Sequence, residues 1–324
     1  MKYLPHKVLA TLVGAVLLGG CSDNGGPFVT VGTAPAGGTF FVVGSAISEV
    51  LAANAGDNNW RVSTQATQGS NVNIRLLVDG EIELGMSNAA ITYFAVRGEG
   101  QWSEPQEVRS VMTMAPNIAL FLTSANSDIE TITDLQGKRV VIGPAGAGFE
   151  TFVSLILAGH GLSMDDLTPL EANQAAAVEM LADGSAAAAF LGGGIPVAAI
   201  SQAVATQDIH FVPFDPEVRE QLIVDYPFFR PAVIPGGTYT GHEEDFHGLD
   251  VGSMHLITAA DLDEELVYQL TKTLYENREQ VAERHPAGRS INPTNVVRPT
   301  GTDFHPGAIR YYTEIGIWPD ANGE

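Results

Sequence analysis

Short apolar runs alternate with longer helix-like stretches twice along this chain, a rhythm that calls for βαβ crossovers and a largely parallel sheet. Residues 28–32, 61–66, 82–86 and 108–114 read as strands. Helical patterns lie between them over 39–53, from about Ser70, and over about 88–96. In the first of these, Phe41, Ser45, Ser48 and Ala52 share one face, and Val42, Ala46, Val50 and Ala53 another. A second series opens at 118–122 and continues with a strand at 139–143, helices at 149–159 and 175–183, a strand at 186–191 and a helix at 197–206. Residues 226–250 are rich in Pro and Gly and predict little regular structure. A strand resumes at 254–258. Asp261-Leu262-Asp263-Glu264 then has the spacing of a capping box, ahead of a helix with Leu266, Leu270 and Leu274 on one stripe and Arg278 and Arg284 late. A polar loop at 289–303 and a short helix near 309–314 close the chain.

The pattern therefore runs twice and the chain returns near residue 254. This arrangement predicts a two-lobed α/β binding protein with a cleft and a hinge of two crossings. Domain one would span 27–117 plus 254–324, and domain two 118–253.

The N-terminus predicts export. Lys2 and Lys7 form a short basic region ahead of an apolar run of 11 residues, 8–18, too short to span a bilayer and suited to a secretory signal. Leu18-Gly19-Gly20-Cys21 resembles a bacterial lipobox, and Cys21 is the single cysteine of the chain. We read 1–20 as a signal peptide, Cys21 as the lipid-bearing residue, and 21–26 as a polar tether. The expected location is periplasmic or extracytoplasmic, on a membrane-anchoring lipid. With 38 acidic against 16 basic residues and no basic cluster, the composition argues against nucleic acid.

Motifs for catalysis are poor. Gly44-Ser45-Ala46-Ile47 lacks the second glycine of a nucleophile elbow. His242 and His247 are five residues apart, whereas one helical zinc face needs four. Gly143-Pro144-Ala145-Gly146-Ala147-Gly148 has neither dinucleotide glycine spacing nor a Walker lysine. The reading is a binding protein without enzymatic activity, cofactor or metal. Glycine or a small hydroxyl residue does recur just before a helix, at Gly37-Gly38-Thr39, Gly69-Ser70-Asn71 and Gly146-Ala147-Gly148. Such starts offer unpaired N–H groups and partial positive charge to an anion.

These segments also resemble a known family. Val29-Thr30-Val31-Gly32-Thr33-Ala34 through Gly37-Gly38-Thr39-Phe40-Phe41, then 66–77 around Gln68-Gly69-Ser70-Asn71-Val72-Asn73, and Leu84-Gly85-Met86-Ser87-Asn88 are similar to signatures of the TAXI solute receptors of TRAP (tripartite ATP-independent periplasmic) transporters. Segments 134–140, 234–239 and 305–312 extend the likeness in order along the chain. It implies a type II periplasmic-binding-protein fold, a small carboxylate ligand such as a glutamate- or 2-oxoglutarate-like acid or an amino acid, and delivery to large and small TRAP membrane subunits, possibly fused. A sensory lipoprotein presenting the ligand to a signalling partner would share this fold and cleft. Ligand-binding positions on this reading are Gly37, Gly38, Thr39, Phe40, Thr67, Ser70, Asn73, Ser87, Asn88, Gly146, Gly148, Phe149 and Tyr239. Residues 190–196 would form the pocket floor, and Arg75 reads as a structural ion pair rather than a ligand clamp. The family usually has Tyr at the position of Phe40 and often Thr at that of Phe149, so this chain lacks two hydroxyls there.

Overall fold

In the structure, a computed structural model describing residues 26–36 and 38–319, two sheets divide the chain. The signal, tether and Cys21 expectations, and Gly37, lie outside the described residues. The first series gives β1 (Phe28–Gly32), α1 (Thr39–Ala53), β2 (Arg61–Gln65), α2 (Ser70–Val78), β3 (Leu84–Asn88), α3 (Ala89–Ala95) and β4 (Val108–Thr113). The second gives β5 (Ile118–Ser124), β6 (Arg139–Gly143), α4 (Phe149–Gly159), β7 (Thr168–Glu171), α5 (Gln174–Ala182), β8 (Ala188–Gly193), α6 (Ala198–Thr206), β9 (Ile209–Val212), α7 (Pro216–Asp225), β10 (Phe229–Ile234) and β11 (Phe246–Val251). The chain then returns through β12 (Met254–Ala259), α8 (Glu264–Glu276), α9 (Arg278–Arg284), α10 (Pro293–Val296) and α11 (Pro306–Glu314).

The first sheet has the order β2-β1-β3-β12-β4, so the returning strand sits between two strands of the opening series. The second has the order β10-β11-β5-β8-β6-β7, and β9 takes the flank of β5 beyond the short pairing with β11. Both sheets are mixed rather than largely parallel. The βαβ units are parallel as expected, β1 with β2 and β3, and β6 with β7 and β8. The strands next to the crossings run the other way: β12 is antiparallel to β3 and β4, and β5 to β8, β9 and β11. A chain that leaves one sheet and enters the next without a crossover helix has no means of restoring direction.

Side-chain burial explains which elements form. In α1 the core face is Val43, Ala46, Ile47, Val50 and Leu51, a helical stripe differing from both faces the sequence pattern suggested. Val43, Ile47, Val50 and Leu51 on it each contribute roughly 1.5–3 kcal/mol of transfer free energy. α8 begins two residues later than the expected capping box: Asp263, not Asp261, accepts the Leu266 N–H at 2.8 Å. That cap is worth about 1 kcal/mol. Leu266 stays half-exposed while Val267, Leu270, Thr271 and Leu274 go inward, and Arg278 and Arg284 belong to the separate α9.

The segment expected to lack regular structure contains β10 and β11 paired over six residues each. Pro231 is tolerated because β10 is an edge strand, where a missing N–H breaks no essential ladder bond.

The two crossings, 113–118 and 251–254, are tied together. The buried Asp250 carboxylate accepts the Asn117 N–H at 3.0 Å and the Ser253 hydroxyl at 2.6 Å, and Arg298 Nη2 donates to Ser253 Oγ at 2.6 Å. Burial pushes the Asp250 carboxyl above its ordinary pKa, against the opposing pull of those hydrogen bonds and of Arg298. Among the described residues no helix is long and apolar enough to cross a membrane.

Candidate functional site

Between the two sheets lies a cavity of about 270 Å³. Its walls are the starts of helices. The residues around Gly38-Thr39-Phe40 open α1, Gly69-Ser70 opens α2, Phe149 opens α4, Asn173-Gln174-Ala175 opens α5, and Ala198-Ala199 begins α6. In an open α/β layout these turns lie beyond the carboxyl ends of the strands, which is why they converge. None of the lining residues bears a charged side chain. What the walls can offer an anion is therefore the orphan N–H groups and dipoles of these helix starts.

Ser70 is the best-defined donor. The Asn88 N–H donates to Ser70 Oγ at 3.0 Å, which occupies a lone pair and leaves the hydroxyl proton to point elsewhere. No acceptor for that proton is recorded among the described residues, and Ser70 lines the cavity. Asn88 lines it too, but its amide is committed: Oδ1 accepts the Ala90 N–H, and Nδ2 donates to Gly252 O at 2.8 Å. It ties the start of α3 to the second crossing.

Of the residues expected to bind, Gly38, Thr39, Phe40, Ser70, Asn88 and Phe149 line the cavity. Thr67, Asn73, Ser87 and Tyr239 stand behind it. Thr67 Oγ1 lies 2.8 Å from Asn73 Oδ1 and accepts the Gly69 N–H, while Asn73 Nδ2 donates to Thr33 O and Met86 O. This pair knits the ends of β1 and β3 to α2 and holds the Gly69 turn, at φ 115°, that presents Ser70. Ser87 pairs with Thr92 at 2.7 Å, and Thr92 in turn with His255 Nε2 at 2.8 Å, in the buried layer under α3. Tyr239 Oη accepts the Val197 N–H at 2.8 Å and so fixes the start of α6.

Gly146 and Gly148 act at the contact between lobes. A Cβ on Gly148 would come within 2.7 Å of Asn71 Nδ2 and 2.8 Å of Ile91 Cδ1. The α2 start and the 146–148 turn meet only because that side chain is missing. Thr39 Oγ1 reaches Gly194 O at 3.5 Å, a second contact across the cleft.

Of residues 190–196 expected to form the floor, Gly192 lines the cavity, whereas Phe190 packs in the core against Phe121 and Phe152. Among the described residues Arg75 forms no ion pair, contrary to expectation; its guanidinium lies over the Trp102 ring, 4.9 Å from the centroid. His242 stacks on Phe211 with centroids 3.8 Å apart.

Sequence reasoning missed Gln68, Asn117, Gln174 and Gln202 in the walls. Gln174 Nε2 donates to Gly192 O at 2.7 Å, and its Oε1 is buried without a partner. A local signal existed for it: Asn173 is the N-cap of α5, accepting the Ala176 N–H, and so marks Gln174 as a first-turn residue. Asn117 carries no such signal, because only the crossing of the chain brings it to the cavity.

A model of the NMT1-like family matches residues 31–316. Among solved structures, a Xanthomonas citri protein bound to ATP is 9% identical with a TM-score of 0.53, over 89% of this chain and 95% of that one. A Bordetella bronchiseptica protein is 14% identical with a TM-score of 0.53, over 91% and 90%. The binding protein component of an ABC phosphonate transporter from Pseudomonas aeruginosa is 9% identical with a TM-score of 0.51, over 80% and 79%. At these identities the likeness is one of fold: the two-lobed α/β architecture of periplasmic binding proteins.

Proposed function

We propose, for a chain that belongs to the NMT1-like family and has the fold of periplasmic solute-binding proteins, that it is an extracytoplasmic receptor for a small carboxylate solute. One observation carries this reading: five helix starts drawn from both lobes converge on one cavity with no charged side chain in its walls. Helix N-termini hold a carboxylate by N–H groups that the fold leaves unpaired, with no arginine required. The resemblance of the 29–41, 66–77 and 84–88 segments to TAXI receptors supports delivery of the solute to the large and small subunits of a TRAP-type secondary transporter. Glutamate- and 2-oxoglutarate-like acids are the solutes that resemblance suggests.

Capture is a matter of closure. Solute bound to one lobe's helix starts completes its hydrogen bonds only when the other lobe arrives, so binding and closing about the 113–118 and 251–254 crossings are coupled. Native mass spectrometry of the purified protein against a panel of organic acids and amino acids is expected to give one saturable ligand. Small-angle scattering should show a smaller radius with that ligand. If no acid in the panel is retained, the receptor reading falls.

Attachment to the membrane rests on Cys21. Labelled palmitate should enter the wild type and not Cys21→Ala; equal labelling of the two would remove the anchor.

A further inference from the structure

We infer that the solute carries a single anionic head on a mainly apolar body and has no ammonium group, an inference that rests on the carboxylate-receptor reading. The cavity presents two kinds of surface. One kind is the set of helix starts with the Ser70 hydroxyl, whose N–H and O–H groups match one carboxylate. The other is hydrocarbon, from Pro35, Phe40, Pro144, Ala147, Phe149 and Ala199, interspersed with six uncharged amide side chains. Phe149 is braced by Phe152, with centroids 5.1 Å apart, and so presents a fixed apolar face.

An α-amino acid brings an ammonium that must leave water on binding. Such a group is costly to bury without a carboxylate to offset its charge, and no Asp or Glu lines this cavity. Amide oxygens are the strongest side-chain acceptors present. Gln174 Oε1, buried and unpartnered, suits a neutral hydroxyl rather than a full positive charge. A second carboxylate fares no better, since no basic side chain lines the walls and the side-chain donors there are hydroxyls and neutral amides.

Four probes separate these features: 4-methyl-2-oxopentanoate, leucine, 2-oxoglutarate and glutamate. They combine an apolar or acidic body with the presence or absence of the amine. Calorimetry on the purified protein should rank 4-methyl-2-oxopentanoate first, at least about tenfold tighter than each of the other three. Phe149→Thr should narrow its lead over 2-oxoglutarate, and Phe40→Tyr, which keeps the ring and adds a hydroxyl, should do the same. Leucine, glutamate or 2-oxoglutarate binding as tightly or tighter overturns this inference and leaves the receptor reading in place. Binding of none of the four overturns the carboxylate assignment on which both rest.

Discussion

Ser70→Ala is expected to weaken solute binding about ten- to a hundredfold, and Arg75→Gln to leave it nearly unchanged. The first effect follows from the position of one hydroxyl. Ser70 stands at the first turn of α2, its oxygen already accepting from the Asn88 N–H, so its proton is free for a ligand oxygen. A hydrogen bond to a charged acceptor is worth roughly 1.5–3 kcal/mol, which is the span of that loss. Alanine also strands the Asn88 N–H, so some loss of stability accompanies it. Comparing affinity with the unfolding midpoint of the same variant separates the two. Arg75 is exposed and rests on the Trp102 ring, away from the cavity walls, so its charge has no route to the solute except through solvent. Calorimetry on both variants decides the matter. Abolished binding in Arg75→Gln beside intact binding in Ser70→Ala would replace helix starts with an arginine clamp.

His255 is expected to make the fold acid-sensitive. Its imidazole is buried in β12, bonded through Nε2 to Thr92 Oγ1, while Nδ1 has no partner. Burial, with the Arg298 charge adding to it, lowers its pKa from 6.5 to about 3. Between those values the unfolded chain binds a proton that the folded chain refuses, so stability falls as pH drops from about 6.5 toward 3. The slope is about 1.4 kcal/mol per pH unit, and it vanishes above and below that window. His255→Leu removes the proton acceptor, and Thr92 Oγ1 keeps Ser87 Oγ and Asn88 O as neighbours. Urea unfolding at pH 7.5 and pH 4.5 should show the wild type losing roughly 2–3 kcal/mol more than the variant over that interval. Carboxylates titrate there as well, which is why the difference between the two proteins is the quantity to measure. Identical losses would mean that His255 is protonated in the folded state.

Element starts were the most legible part of the chain, because they depend on neighbours within a few residues. Helices α1 and α4 begin and end at the residues the pattern indicated, and Gly38 and Gly148 stand just ahead of them. The capping of α8 was displaced by two residues because two aspartates compete within one turn and only the packing of Val267 and Leu270 chooses between them. Strands β10 and β11 were invisible for a different reason. Phe246-His247-Gly248-Leu249-Asp250-Val251 has little β-branched content, and its strand character comes from pairing with β10 and β5.

The candidate site divides along the same line. Residues at glycine-rich helix starts, Ser70 among them, were readable because an unpaired N–H at a helix start is a local fact of backbone geometry. Thr67, Asn73 and Tyr239 carry the same polar chemistry, yet their hydrogen bonds turn inward to carbonyls and N–H groups that arrive from elsewhere in the fold. By itself the sequence determined two α/β series, a return strand and a set of helix starts able to face an anion. Only the tertiary structure decided which of those starts share one cavity, that Asn117, Gln174 and Gln202 join them, and that no charged side chain does. The physical reason is separation along the chain. Whether a polar side chain meets solute or backbone depends on the two crossings that bring distant segments together, and no local pattern encodes that distance.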